Sequence, residues 1–220
     1  MTRPVSDNQS MDVPRLLETA ALLVPEAAAT EDDLTVHDVW DHLVRDEWEI
    51  ALTMLEELRG RPELSTAFWT ALADAAEQLR MPRSAAWCHW RRLELRDGVI
   101  RADLTLRPAA ESWRKTPIFT GTHTFRPMWN IGHRSPTGGF MVNIASLWLE
   151  ERPSLEPGGR ARVRLHPFDP AQWTHVVPGQ RIDMHEGMPV SGTAVILEVR
   201  PPASGPPAQD SRGSSPRLIR

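Results

Sequence analysis

The stretch HEGMPVSGTAVILEV, residues 185–199, decides the fold. Its second part, TAVILEV (193–199), is apolar at consecutive positions and too short for a helix, which predicts a buried strand with neighbours on both sides. Its first part is a turn built on Glu186, Gly187 and Gly192. Upstream, QRIDMHEG sets Ile182 and Met184 against Arg181, Asp183 and His185. RARVRLHPF sets Ala161, Val163 and Leu165 against Arg160, Arg162 and Arg164. FMVNI alternates Phe140, Val142 and Ile144 against Met141 and Asn143, and a phase shift through ASLWLEE suggests a bulge or bend. Gly138-Gly139, Gly158-Gly159 and Pro178-Gly179 mark turns. Short strands at regular turn spacing predict a small antiparallel β-barrel or sandwich over 117–200.

The period changes upstream of Gly98. Thr35 with Asp38 approximates a capping box before VHDVWDHLV. Residues 46–60 place Trp48, Ala51, Leu52 and Leu55 on one helical face and stop at Gly60. Ser65 is placed to cap a helix whose stripe is Phe68, Leu72, Ala75, Ala76 and Leu79, and Pro82 opens another with Trp87, Trp90 and Leu93 inward. The fold class expected is α+β: an N-terminal antiparallel helical bundle (13–97), a linker (98–116) and a small antiparallel β-barrel (117–200). Residues 1–12 and 201–220 are disordered by composition.

Composition narrows the function classes. With 220 residues, 40% hydrophobic and 25% charged, the chain has the make-up of a globular protein. A formal net charge of −4 gives no global drive toward nucleic acid or anionic lipid. A single cysteine, Cys88, excludes an internal disulfide and fits a reducing compartment. No apolar run is long enough to span a membrane, and the start lacks the apolar core of a signal peptide, so the expected location is cytoplasmic.

The ordered series FMVNIASLWLEE, GGRARVRLHPF, VVPGQRIDM and HEGMPVSGTAVILEV resembles the C-terminal (third) barrel domain of elongation factor Tu, over roughly 139–200. That resemblance implies a barrel whose last turn, here Glu186, Gly187 and Gly192, lies near the T stem of a bound aminoacyl-tRNA. Gln180 replaces the Asp that follows Pro-Gly in the family, Pro189 stands at or beside the family's Arg, and the segment between the two turns is nearly absent. These departures count against a tRNA role. No GxxxxGK[ST] phosphate loop occurs, so GTP is not expected. The helical stretch 37–81 is similar to helical immunity proteins of bacterial contact-dependent toxin systems, which share a Glu-Trp or Glu-Tyr helix running into Ala-Leu.

Three sets of side chains are candidate binding residues. Residues 31–57 hold ten Asp or Glu and one Arg, among them Asp46, Glu47 and Glu49. They form either a surface for a basic protein, such as a nuclease toxin or a ribosomal protein, or a solvated face with acids near helix starts. The stripe Arg160, Arg162, Arg164 repeats at about 6.6 Å along a strand, which suits phosphates, an acidic partner, or docking on the chain's own acidic helices. Trp69 adjoins inward Phe68, so one of the pair is expected at an edge, where an indole anchors partners. Asp183 and His185 share a strand face without a third metal ligand at diagnostic spacing, and no GxSxG is present. The expectation is a non-enzymatic binding protein for a toxin or a translation component, with no cofactor. The alternative is a small metal- or His-dependent enzyme on the barrel.

Overall fold

A computed structural model describes residues 12–59, 63–121, 124–134, 141–187 and 189–202. The disorder expected for 1–11 and 203–220, the turn at Gly138-Gly139, inward Phe140 and the stop at Gly60 lie outside these residues.

Five helices come first. α1 (Val13–Leu22) begins at Asp12, whose carboxylate accepts the Arg15 N–H at 3.3 Å. α2 (Val36–Leu43) opens on a full capping box: Thr35 Oγ1 accepts from the His37 N–H at 3.2 Å, and the Asp38 carboxylate accepts the Thr35 N–H at 2.8 Å. α3 (Trp48–Glu57) follows, then α4 (Thr66–Gln78), capped by Ser65. α5 (Pro82–Asp97) starts on Pro82, where the missing N–H costs nothing. All five contribute to one apolar core that includes Leu17, Val39, Leu52, Leu55, Phe68, Leu72 and Cys88.

Trp69 departs from expectation: it is 1% exposed and is no surface anchor. α4 lies against α1, α3 and α5, so its covered face is wide enough to take in both Phe68 and Trp69, and its wet side is the narrow stripe of Ala67, Thr70 and Asp74. Phe68 and Trp69 both turn inward and meet edge to face at 4.9 Å. The expectation assumed a helix covered on one stripe only.

The barrel starts earlier than 117. β1 (Val99–Leu106) sits inside the stretch read as a linker and follows α5 through Gly98 alone. Gly98 has φ +92°, and a Cβ there would stand 2.5 Å from the Arg200 carbonyl oxygen, so this joint requires glycine. The other strands are β2 (Ile118–Phe119), β3 (Met128–Asn130), β4 (Asn143–Leu149), β5 (Ser154–Leu155), β6 (Arg160–Pro167), β7 (Arg181–His185) and β8 (Val190–Arg200). The closed order is β1-β6-β4-β3-β7-β8, antiparallel at every pairing, while β2 and β5 form a separate pair. β1 is hydrogen-bonded to both β6 and β8, so closure depends on it. Ala102, Leu104, Trp129, Leu147, Val163, Met184 and Ile196 belong to the core that fills the interior.

Two phase readings change. In β4 the inward residues are Ala145, Leu147 and Leu149, whereas Val142 and Ile144 are exposed. The register of β4 on β6 runs unbroken from Ala145 to Leu149. Bulges occur instead where β8 meets β1, at Arg101/Ala102, and β7, at Met184/His185. β8 does lie between two strands, but Val195 and Leu197 face solvent on its outer side. The barrel therefore buries one face of β8, and the apolar run overstated its cover.

Candidate functional site on the acidic helical face

Charge is divided between the two halves. Residues 1–97 carry ten Lys or Arg against nineteen Asp or Glu, and residues 98–220 carry fifteen against ten. The fold arranges these charges differently in each half.

On the helical half, Glu31, Asp32, Asp33, Asp41, Asp46, Glu49 and Glu57 are exposed, and none makes an ion pair among the described residues. Asp41, Asp46 and Glu49 stand at or beside the α2–α3 turn, whose backbone is closed by the Glu47 N–H donating to the His42 carbonyl at 3.0 Å, while Glu31, Asp32 and Asp33 precede α2 and Glu57 ends α3. Asp46 takes φ +59° in that turn, a conformation Asp tolerates better than most side chains. Glu47 is tied inward: its carboxylate contacts His42 Nδ1 at 2.6 Å and accepts from Arg45 Nε at 3.2 Å, and the His42 contact first, then Arg45, holds it below the usual carboxylate range. Glu49 is free of such ties. Two large apolar side chains stand in the same surface, Val44 at 83% exposed and Ile50 at 48%. An acidic surface studded with apolar side chains is suited to a basic protein: charge steers the encounter, and the apolar groups bury on contact.

On the barrel half, every strand arginine is paired. Arg160 chelates Asp103 of β1, with Nε 2.8 Å from Oδ1. Arg162 approaches Glu151 at 3.7 Å, and Arg181 approaches Asp183 at 4.0 Å. Arg200 pairs with Glu63 and Glu198. Arg101 grips Glu150 through Nε at 2.6 Å and Nη2 at 2.8 Å. Burial pushes the Glu150 carboxyl up, but the Arg101 hydrogen bonds and the Arg164 charge outweigh it and leave it below its ordinary value.

Arg164 is the member of the basic stripe that the fold consumes. It is 8% exposed and lies under α5, donating from Nη1 to both oxygens of Glu94 at 2.9 and 2.8 Å. Its Nε lies 3.1 Å from Glu150 Oε1 with the N–H aimed off the carboxylate, so that contact is coulombic rather than a hydrogen bond. Glu94 also accepts from Trp90 Nε1 at 2.9 Å and Arg91 Nη1 at 2.6 Å. Trp87 and Trp90 pack on Trp148 at 5.3 and 5.8 Å between ring centroids. This seam of indoles and ion pairs fixes α5 to the barrel; one stripe arginine docks on a helix, but that helix is α5 and not the acidic helices of 31–57. Glu94, Glu150 and Trp148 were missed in the sequence. One signal was present: Trp148 and Arg164 are cross-strand neighbours on the outer face, and an outward Trp beside an outward Arg marks a covered surface.

The Glu186 turn also has internal work. Arg114 donates to both Glu186 oxygens, from Nε at 2.6 Å and through Nη2. Gly187 sits at φ +86°. A Cβ at Gly192 would stand 3.0 Å from the Thr105 carbonyl oxygen, so this glycine serves the close approach of β8 to β1. Asp183 lies on the outer face of β7 beside Thr193 and Arg181. Among the described residues no group of three or more His, Cys, Asp or Glu is placed to hold a metal ion.

One half-buried acid stands apart. Glu56, on α3 beside Ser84 and Cys88, is pushed up to about 7, chiefly by burial. Burial, with Glu56 next to it, also pushes the Cys88 thiol up, which keeps that sulfur protonated and unreactive. No helix among the described residues is long and apolar enough to cross a membrane. Neither a protein-family profile nor a curated protein sequence matches this chain.

Proposed function

We propose that this chain is a non-enzymatic binding protein whose acidic helical face engages a basic macromolecular partner in the cytoplasm, either a toxin that it neutralises or a component of translation. In this reading α1–α5 act as an antiparallel bundle that displays the α2–α3 surface, and the barrel, which resembles the third domain of elongation factor Tu, is the scaffold behind it. The observation that carries the reading is Asp41, Asp46 and Glu49, without ion pairs among the described residues, beside exposed Val44 and Ile50. A tRNA role has thinner support, because the stripe arginines are neutralised by Asp103, Glu151 and Glu94.

The test is affinity capture from the native host with wild type and the Asp41→Lys/Glu49→Lys variant. Wild type should retain a basic protein at one-to-one stoichiometry, with affinity that falls as salt rises. The variant should lose it while keeping the wild-type melting temperature. Equal retention of the same partner by both proteins would defeat the proposal.

A further inference from the structure

We propose that the cleft between α5 and the outer face of β4 and β6 binds a planar aromatic carboxylate. This goes beyond the acidic face and uses none of its residues. The cleft has a volume of about 380 Å³ and is lined by, among others, His89, Trp90, Arg126, Trp148, His166 and Phe168. That volume is at the small end of ligand sites and suits one or two fused rings.

Its chemistry is aromatic and positive. Trp90 and Trp148 line it as neighbouring indoles, and Phe168 is left 77% exposed beside them. A planar ring entering there would remove the Phe168 face from water and stack on it. The two imidazoles already have carboxylates: His89 Nε2 lies 2.9 Å from Glu77, and His166 Nε2 lies 2.7 Å from Asp97. Glu94, behind Trp90, is satisfied by Arg91, Arg164 and the Trp90 N–H. That leaves Arg126, an exposed guanidinium with no carboxylate partner among the described residues. A guanidinium receives a carboxylate through two parallel N–H donors, which fixes the ligand's acid group at the Arg126 side while its ring meets the aromatic residues.

Calorimetric titration of the full chain with naphthoate tests this, with naphthamide and cyclohexanecarboxylate as controls. Naphthoate should bind saturably at one site, and both controls should bind at least several-fold more weakly. Arg126→Gln should weaken naphthoate roughly tenfold or more, the cost of losing one charge-assisted pair. Phe168→Ala should weaken it by a smaller factor. Both side chains are exposed and have no ion-pair or ring partner among the described residues, so both variants should melt as wild type does. Absence of saturable binding, equal affinity for naphthamide, or an unchanged affinity in Arg126→Gln would each overturn the site. Partner capture by the acidic face is independent of all three outcomes.

Discussion

The helical half and the barrel handle charge in opposite ways. Seven exposed carboxylates around α2 and α3 have no counter-ion among the described residues, whereas Arg101, Arg160, Arg162, Arg164, Arg181 and Arg200 on the strands all have one. Charges paired within a fold have little left to offer a partner, since their fields cancel beyond a few ångströms. Unpaired charges of one sign project a field into solvent and raise encounter rates. Arginine spacing along a strand therefore says little about binding until the cross-strand carboxylates are known.

The comparison breaks most visibly at its buried residues. Trp69→Ala should destabilise the chain by about 3–5 kcal/mol, because a fully enclosed indole leaves a large cavity. Denaturant unfolding measures this, and a loss below about 1 kcal/mol would return Trp69 to the surface. Arg164→Ala should cost about 3 kcal/mol, since it removes one of two guanidinium partners from a carboxylate that is 4% exposed. Arg162→Ala, on the same strand and same face, should cost less than about 0.5 kcal/mol. Similar losses for the two arginines would show that the seam is not what holds α5 to the barrel.

Glu56 gives a smaller and pH-dependent effect. Its folded value, about 7, lies above its ordinary value of 4.5, so the folded chain holds more protons than the unfolded chain between those limits. Stability should therefore fall as pH rises from about 4.5 to about 7, by about 3 kcal/mol at the upper limit. Glu56→Gln should flatten that slope and leave the variant more stable than wild type at pH 8. An unchanged slope in unfolding measured across this range would place the ionisation elsewhere. Smallest of all, Asp41→Lys/Glu49→Lys should shift folding stability by less than about 0.5 kcal/mol while changing partner capture.

Much of the local structure was legible in the sequence. The capping box at Thr35 and Asp38, the Ser65 cap, the Pro82 start and the alternation of β6 and β7 each follow from a short-range rule, and the structure has them. β1 obeyed the same rule, with Ile100, Ala102, Leu104 and Leu106 inward, but it begins one residue after a helix, where a loop is the usual expectation. What the sequence hid depends on long-range packing. Trp69 is buried because helices close on more than one side of it. Val142 and Ile144 are exposed although their pattern is that of inward residues. Arg162 and Arg164 each stand between two apolar residues on the same strand, and the position of α5 above one of them separates their roles.

The joint at Gly98 has a consequence for how the molecule moves. A helix that becomes a closing strand after a single glycine, with the Arg200 backbone packed against it, leaves no hinge between the halves. The acidic face is held at a set angle to the barrel as a lever is held to its block. Force or heat applied to α5 is delivered directly into β1, the strand whose hydrogen bonds on both sides keep the barrel shut.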